Sequence, residues 1–401
     1  MQKIIALLTL AGLGAMILGP VFTAADTGLG PIPTKVTPDT TGGAGSDSIL
    51  VKAKWEMYTE YDNKGFEEPG YENTPGAQLA APGQWGENLE YTVCAVVHGR
   101  DKNPDNISHV IAEIFYPNRP MHVTDPEVSC GNGIKNADGE EIDNPSGGCG
   151  AKIEQNQLEE LSQEEGIDLV CNKIWPQNPN LIEAWATGED YHTLCNSDDG
   201  QLIKGWAKVY CADKTLTWED PAGDYKVVVM AYDTNGTESK LTNSFTYLET
   251  RGFDIDFMGT GVDYGSVKIS EHKKVYGNKC FLANDNLPTI RNLGNVRLQI
   301  KIAQDDMGLG KKTGSDEWNV KFDARIGDSE GDWEDYEPFG EVGENPDTDD
   351  WTEIREILDL SEIEEMDFSI HVIEKWPENK PVYEGNMWLT AEGAGWDNCS
   401  P

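Results

Sequence analysis

The sequence predicts a mainly β protein of two antiparallel immunoglobulin-like sandwich domains, the first with a disulfide-stapled, partly helical insertion. Three observations carry that prediction. Apolar residues recur at every second position in one short segment after another, the period of a strand with one face buried. Turn formers are abundant, with 42 Gly and 21 Pro in 401 residues, and they show no collagen-like period. Eight cysteines, an even number with no C-x-x-C pair, suit disulfides of an oxidising compartment better than a zinc or redox site.

Residues 1–25 read as a secretory signal. Lys3 supplies the positive end, Ile4 to Phe22 the mostly apolar stretch, and Thr23, Ala24 and Ala25 the small residues for cleavage. Residues 26–48, rich in Thr, Gly, Pro and Ser, read as a flexible linker. A first sandwich is expected over 49–250. Leu89, Tyr91, Val93, Ala95 and Val97 share one face of a strand, and Val110, Ala112, Ile114 and Tyr116 one face of the next. Val227, Val229 and Ala231 follow at the same period, ending in the turn Asp233-Thr234-Asn235-Gly236, and Asn243 to Leu248 close the domain. Residues 119–204 interrupt this pattern with four cysteines, a short helix over about 153–165 and a helical turn or two over 180–187. The simplest reading is an insertion hanging from the end of the sandwich.

A second sandwich is expected over 251–401. Val267 and Ile269 start it. Leu298, Ile300 and Ile302 then alternate with Arg297, Gln299 and Lys301. Val320 to Ile326, Phe368 to Val372 and Met387 to Ala391 give further strands, separated by turns rather than helices. Cys280 and Cys399 are the cysteines beyond residue 250, so disulfides confined to domains pair them. The pairing of Cys94, Cys130, Cys149, Cys171, Cys195 and Cys211 stays open. No second apolar run is long enough to span a bilayer, so the mature chain is expected to have no membrane span. Glycosylation sequons at Asn106, Asn235 and Asn398 agree with export.

Two segments carry a resemblance. Asp220 to Gly236, with Gly223, Tyr225, Val227 and Val229 before its turn, resembles the penultimate strand region of immunoglobulin-like and polycystic-kidney-disease-type surface domains. Val262 to Val267, followed by Pro288 to Asn295, resembles exported β-sandwich modules of archaeal and bacterial surface proteins, among them the biofilm-fibre and camelysin group. A third stretch beginning Cys130-Gly131-Asn132-Gly133 is similar to small Cys-rich extracellular repeats, but Ile142 stands where those repeats have a cysteine. The resemblance implies architecture and surface location. It brings no catalytic residue.

Asp and Glu number 71 against 31 Lys and Arg, a net charge of −40. Such a polyanion repels nucleic acid, so no nucleic-acid partner is expected, whereas cations are attracted. From Asp328 to Asp367 stand 18 acidic residues and one basic residue, Arg355. Calcium takes six to eight oxygen ligands, and carboxylates clustered in turns can supply them. The candidate ligands are Asp328, Glu330, Asp332 and Asp335, which surround Trp333, and Asp347, Asp349 and Asp350 in a Pro-containing loop. The alternative is a solvated acidic surface. The six histidines show no H-E-x-x-H pattern, and neither a G-x-S-x-G elbow nor a P-loop occurs. Trp333, Trp351 and Trp376 fall in polar loops, where exposed rings could form a sugar platform or pack at sandwich edges.

These readings lead to a secreted or cell-surface structural or adhesive protein without catalytic activity, with itself or other surface proteins as partners and self-assembly as one mode. The alternatives are a calcium-dependent or glycan-binding extracellular module and a hydrolase on a β scaffold.

Overall fold

The computed structural model describes residues 48–58, 78–81, 88–117, 152–218, 220–257, 261–281, 287–327, 332–374, 376 and 380–395. The expected signal segment, the linker up to residue 47, and Cys130, Cys149, Cys399, Asp328 and Glu330 lie outside the described residues. The protein is mainly β, with several antiparallel sheets.

The first part of the chain contributes β1 (Leu50–Tyr58), β2 (Gln78–Leu79), β3 (Asn88–His98), β4 (Ile107–Phe115), β5 (Lys152–Gln157), β6 (Glu159–Glu160), β7 (Ala184–Trp185), β8 (Ala207–Thr217), β9 (Gly223–Asp233) and β10 (Glu238–Tyr247). One sheet runs β6-β8-β3-β1-β7 and the other β2-β10-β9-β4-β5. Every pair is antiparallel except β2 with β10. The expected strands around residues 89–97, 110–116 and 227–231 are β3, β4 and β9. The turn after Asp233 is held by its own carboxylate, whose Oδ1 accepts from the backbone N–H groups of Asn235 and Thr237, both at 2.8 Å.

The two sheets share a core in which Val93, Ala95 and Val97 of β3 meet Tyr225, Val227 and Val229 of β9 and Leu241 and Phe245 of β10. β3 is buried on its other face too, where Cys94 and Val96 join Trp55 of β1, Val209 of β8, and Val170, Ile174, Leu194 and Leu202 of the insertion. Burial from Tyr91 to His98 is continuous, as expected of a strand covered on both sides. The described part of the insertion therefore lies against the outer face of the first sheet as a third layer, rather than hanging from the end of the sandwich.

Two helix expectations are also corrected. Residues 152–157 and 159–160 are the strands β5 and β6, which extend the edges beside β4 and β8. The helix begins only at Gln163, where Ser162 and Glu165 form a reciprocal cap. It continues through a π-helical stretch, Asp168–Ile174, to Gln177. The expected helical turns over 180–187 are replaced by β7, and a short helix follows at Tyr191–Cys195. Ordinary helix period misleads at 153–165 because an edge strand exposes polar side chains on both faces.

The second part contributes β11 (Phe253–Asp256), β12 (His272–Val275), β13 (Thr289–Asn292), β14 (Leu298–Gln304), β15 (Val320–Ile326), β16 (Glu334–Tyr336), β17 (Thr352–Leu358), β18 (Ile363–Val372) and β19 (Met387–Gly393). A larger sheet runs β11-β13-β18-β15-β16, with β12 also on β18, and a smaller one runs β17-β14-β19. Leu298, Ile300 and Ile302 of the smaller sheet pack against Phe322, Phe368 and Ile370 of the larger. The strand expected at Val267 and Ile269 is absent, and Ile269 is exposed; after β11 the chain next pairs at β12.

Two disulfides are defined. Cys94–Cys211 joins directly opposed residues of β3 and β8 within one sheet, and Cys171–Cys195 ties the long helix to the short one. Cys280 is also disulfide-bonded. Its expected partner, Cys399, lies outside the described residues.

Candidate functional site

The outer face of the larger sheet in the second part collects titratable groups on an ordered grid. Val320, Phe322, Ala324 and Ile326 of β15 point into the core, so Lys321, Asp323 and Arg325 point outward. On β18 the same alternation sends Met366, Phe368, Ile370 and Val372 inward and Asp367, Ser369 and His371 outward. Strand register aligns the outward residues in rows. Lys321 stands opposite His371, Asp323 opposite Ser369 and Arg325 opposite Asp367. β12 adds His272 beside His371 and Lys274 beside Ser369, while β16 adds Asp335 beside Asp323.

Several of these charges are paired. Arg325 Nε donates to Asp367 Oδ2 at 2.7 Å, and Asp367 Oδ1 accepts from the Gly277 backbone N–H at 2.7 Å. Lys321 meets Glu337 at 2.9 Å. Ser369 Oγ donates to Asp323 Oδ2 at 2.7 Å, and His272 Nδ1 lies 3.6 Å from the same oxygen. The imidazoles of His272 and His371 stack with ring centres 4.2 Å apart. Trp333 closes one end of the grid, its ring under Lys274 Nζ at 4.5 Å and the Arg325 guanidinium at 4.7 Å, with Tyr276 edge-on at 6.5 Å.

Crowding shifts the protonation of these groups. A hydrogen bond with Asp323, reinforced by desolvation and by repulsion from that carboxylate, raises the Asp335 pKa above its ordinary value. Burial, with His272 adding repulsion, lowers that of His371. Glu365 is raised by desolvation first and by Asp367 second. Chemically, the face offers two adjacent carboxylates, two stacked imidazoles and an aromatic edge. The Ser369 hydroxyl is committed to Asp323 rather than to a histidine, so it is not arranged as a base-activated nucleophile.

Of the acidic residues singled out from the sequence, Asp335 belongs to this face. Asp332 lies beside it and bonds Arg355 at 3.1 Å, and Glu334 meets the same Arg355 at 2.8 Å. Asp347 and Asp350 form a separate turn, with the Asp347 backbone N–H donating to Asp350 Oδ2 at 2.8 Å; Asp349 lies in that turn. Among the described residues, no three His, Cys, Asp or Glu side chains converge as a metal ion would require. Trp376 stacks obliquely on Tyr383 at 5.1 Å and packs against the core, and Trp351 is half-buried. Sequence reasoning missed His272, Asp323, Ser369 and His371. For Asp323, Ser369 and His371 the signal was the polar half of the period-two pattern, Lys321-Asp323-Arg325 and Asp367-Ser369-His371, opposite the apolar half that defined the strands.

No protein-family model matches this sequence, and no curated protein does. Among solved structures, BspA_C_WT and the Streptococcus agalactiae AgI/II polypeptide BspA C-terminal domain each match at 11% identity with a TM-score of 0.18, over 80% of this chain and 91% of that chain. BspA_C_mut matches at 14% identity and a TM-score of 0.16, over 80% and 90%. At such TM-scores the likeness carries no argument for fold or function.

Proposed function

We propose that this chain is a secreted or cell-surface structural and adhesive protein, built from two immunoglobulin-like sandwich domains that meet between β10 and β11 and acting without catalysis. The observation that carries the reading is the set of hydrogen bonds that Asn295 makes at that joint. Asn295 is 1% exposed and hydrogen-bonds across it through both its side chain and its backbone. Its Nδ2 donates to Leu248 O at 2.8 Å, and its Oδ1 accepts from Thr250 N–H at 2.7 Å. Its backbone N–H donates to Thr250 O at 3.1 Å, and its carbonyl accepts from Ala222 N–H at 2.9 Å. Gly294 permits this approach, since a Cβ there would fall 2.2 Å from Thr250 O. Ala222, from the first part of the chain, is buried in the core of the second.

A clamped joint suits a rod that bears load or holds a surface away from the cell. An enzyme that closes over a substrate needs a joint of low local stability. The oxidised cysteines agree with an extracellular compartment, and among the described residues no helix is long and apolar enough to cross a membrane. The test is antibody labelling of intact cells, combined with attachment and aggregation assays after deletion of the coding sequence. Labelling without permeabilisation and loss of attachment are expected. Labelling only after permeabilisation overturns the reading.

A second reading, a glycan-binding module, is favoured by Trp333 beside Tyr276, whose side chain is 53% exposed at the edge of the polar grid. Binding to a glycan array that Trp333→Ala abolishes would support it, and an empty array would remove it.

A further inference from the structure

A cluster of a buried amine, a buried carboxylate and an amide lies between the two sheets of the first sandwich. It arises from a bulge in β1. Val51 of β1 faces the shared core, but the register shifts between Val51 and Ala53, and beyond the shift Ala53, Trp55 and Met57 face the helical layer. Lys54 and Glu56 are thereby turned inward, toward β10. There Asn243 occupies the same face as Leu241 and Phe245, in an otherwise apolar row. Both the Lys54 and Glu56 side chains are completely buried.

The contacts among these groups are specific. Lys54 Nζ lies 2.5 Å from Glu56 Oε1 and hydrogen-bonds to Asn243 Oδ1. Asn243 Nδ2 donates to Glu56 Oε2 at 2.8 Å and to Glu183 Oε2 at 2.6 Å. Glu56 thus touches the amine with one oxygen and the amide nitrogen with the other. Two carboxylates pin the amide plane. The amide carbon Cγ sits about 1.2 Å beyond Oδ1, so a nitrogen resting on Oδ1 is near attack range, roughly 3–3.5 Å. As a purely non-covalent device the cluster is hard to justify, because a buried ion pair stabilises no better than apolar residues of the same volume.

We propose that Lys54 and Asn243 form an intramolecular isopeptide bond with Glu56 as the proton carrier. Glu56 Oε1 takes a proton from the Lys54 ammonium, leaving a neutral amine. The amine lone pair attacks Cγ of Asn243, forming the Nζ–Cγ bond and a tetrahedral centre. Glu56 passes that proton on to Nδ2, the Cγ–Nδ2 bond breaks with its electron pair on nitrogen, and ammonia leaves. The second proton shed by Nζ remains on Glu56 or departs with ammonia as ammonium. The step is neither an oxidation nor a reduction and needs no co-reactant. Full burial of the Lys54 and Glu56 side chains shields the proton transfers between them from bulk water.

The product would join β1 to β10, the first and last strands of the first sandwich, across its two layers. Tension entering at β1 would then pass to β10 and the clamped joint without separating the sheets. The chemistry stands whether or not the protein works at the cell surface.

The test is tandem mass spectrometry of the purified full chain after complete reduction, alkylation and proteolysis. The expected result is one branched peptide joining the segment that holds Lys54 to the segment that holds Asn243, lighter than their sum by one ammonia. It should vanish in Asn243→Ala and in Lys54→Met. In Glu56→Gln, which keeps both reacting groups, the two segments should be recovered unlinked. Linear wild-type peptides with a free Lys54 amine and an intact Asn243 amide would overturn the proposal, and need no variant to fold. A branched peptide persisting in Glu56→Gln would overturn the role of Glu56.

Discussion

Asn292 shows how much one polar side chain can hold. It is fully buried at the end of β13. Its Nδ2 donates to Val296 O at 2.8 Å and to Asp359 O at 2.9 Å, and its Oδ1 accepts from Gly294 N–H at 2.8 Å. Truncation strands these backbone groups away from water. Asn292→Ala should therefore cost about 2–3 kcal/mol, read as a lower urea midpoint with an unchanged slope. A change under a few tenths would mean that water or relaxation replaces the bonds. Asp335 behaves in the opposite sense. Its folded pKa is raised by the Asp323 hydrogen bond, so its favourable contribution is complete below the ordinary aspartate range and is lost as pH rises through the folded value. Above that value the pair repels. Asp335→Asn keeps a donor toward Asp323 without the charge, and should raise the melting temperature at pH 7 by an amount that shrinks as pH falls toward 4. A lower melting temperature at pH 7 would show that Lys321 and His272 compensate the pair.

The disulfides act on whole elements. Cys94–Cys211 closes a separation of 117 residues and Cys171–Cys195 one of 24. In the chain-entropy account these are worth about 5 and about 3 kcal/mol. Replacing each pair by serine should rank their losses in that order by denaturant unfolding. Loss of Cys171–Cys195 should also raise amide exchange in the helical layer before the strands. Equal exchange in both would mean that the layer and its sheet unfold as one. The same elements show what was legible beforehand. β3, β9, β14, β15 and β18 announce themselves because a continuous apolar row must meet a core. β1 hides its period, since the bulge moves the apolar set to the other face and turns Lys54 and Glu56 inward. β5 and β6 are edge strands whose place is set by β4 and β8, not by their own polar side chains. The outer grid was half legible. Composition pointed to the acidic run around Asp332 and Asp335, but only register brings Asp323, His272 and His371 beside Asp335 from segments far apart in sequence.

At the scale of the whole molecule, the net charge of −40 works against compactness, and the joint at Asn295 works for it. Like charges on the two halves repel at low ionic strength, where the screening length reaches about 30 Å at 0.01 M salt and falls to about 10 Å at 0.1 M. While Asn295 holds Leu248 and Thr250, that repulsion has no soft coordinate to act on, and the solution shape should be indifferent to salt. Asn295→Ala removes the side-chain bonds to Leu248 and Thr250 and leaves the backbone contacts to Thr250 and Ala222. Small-angle scattering of the variant should show a longer maximum dimension and a broader distance distribution at low salt, returning toward wild type as salt rises. Far-ultraviolet circular dichroism should stay the same, since neither sheet pair is disturbed. If the wild-type profile itself lengthens at low salt, the joint is a hinge and the load-bearing reading fails. If neither protein responds, the packing of Ala222 into the second core holds the two halves without Asn295.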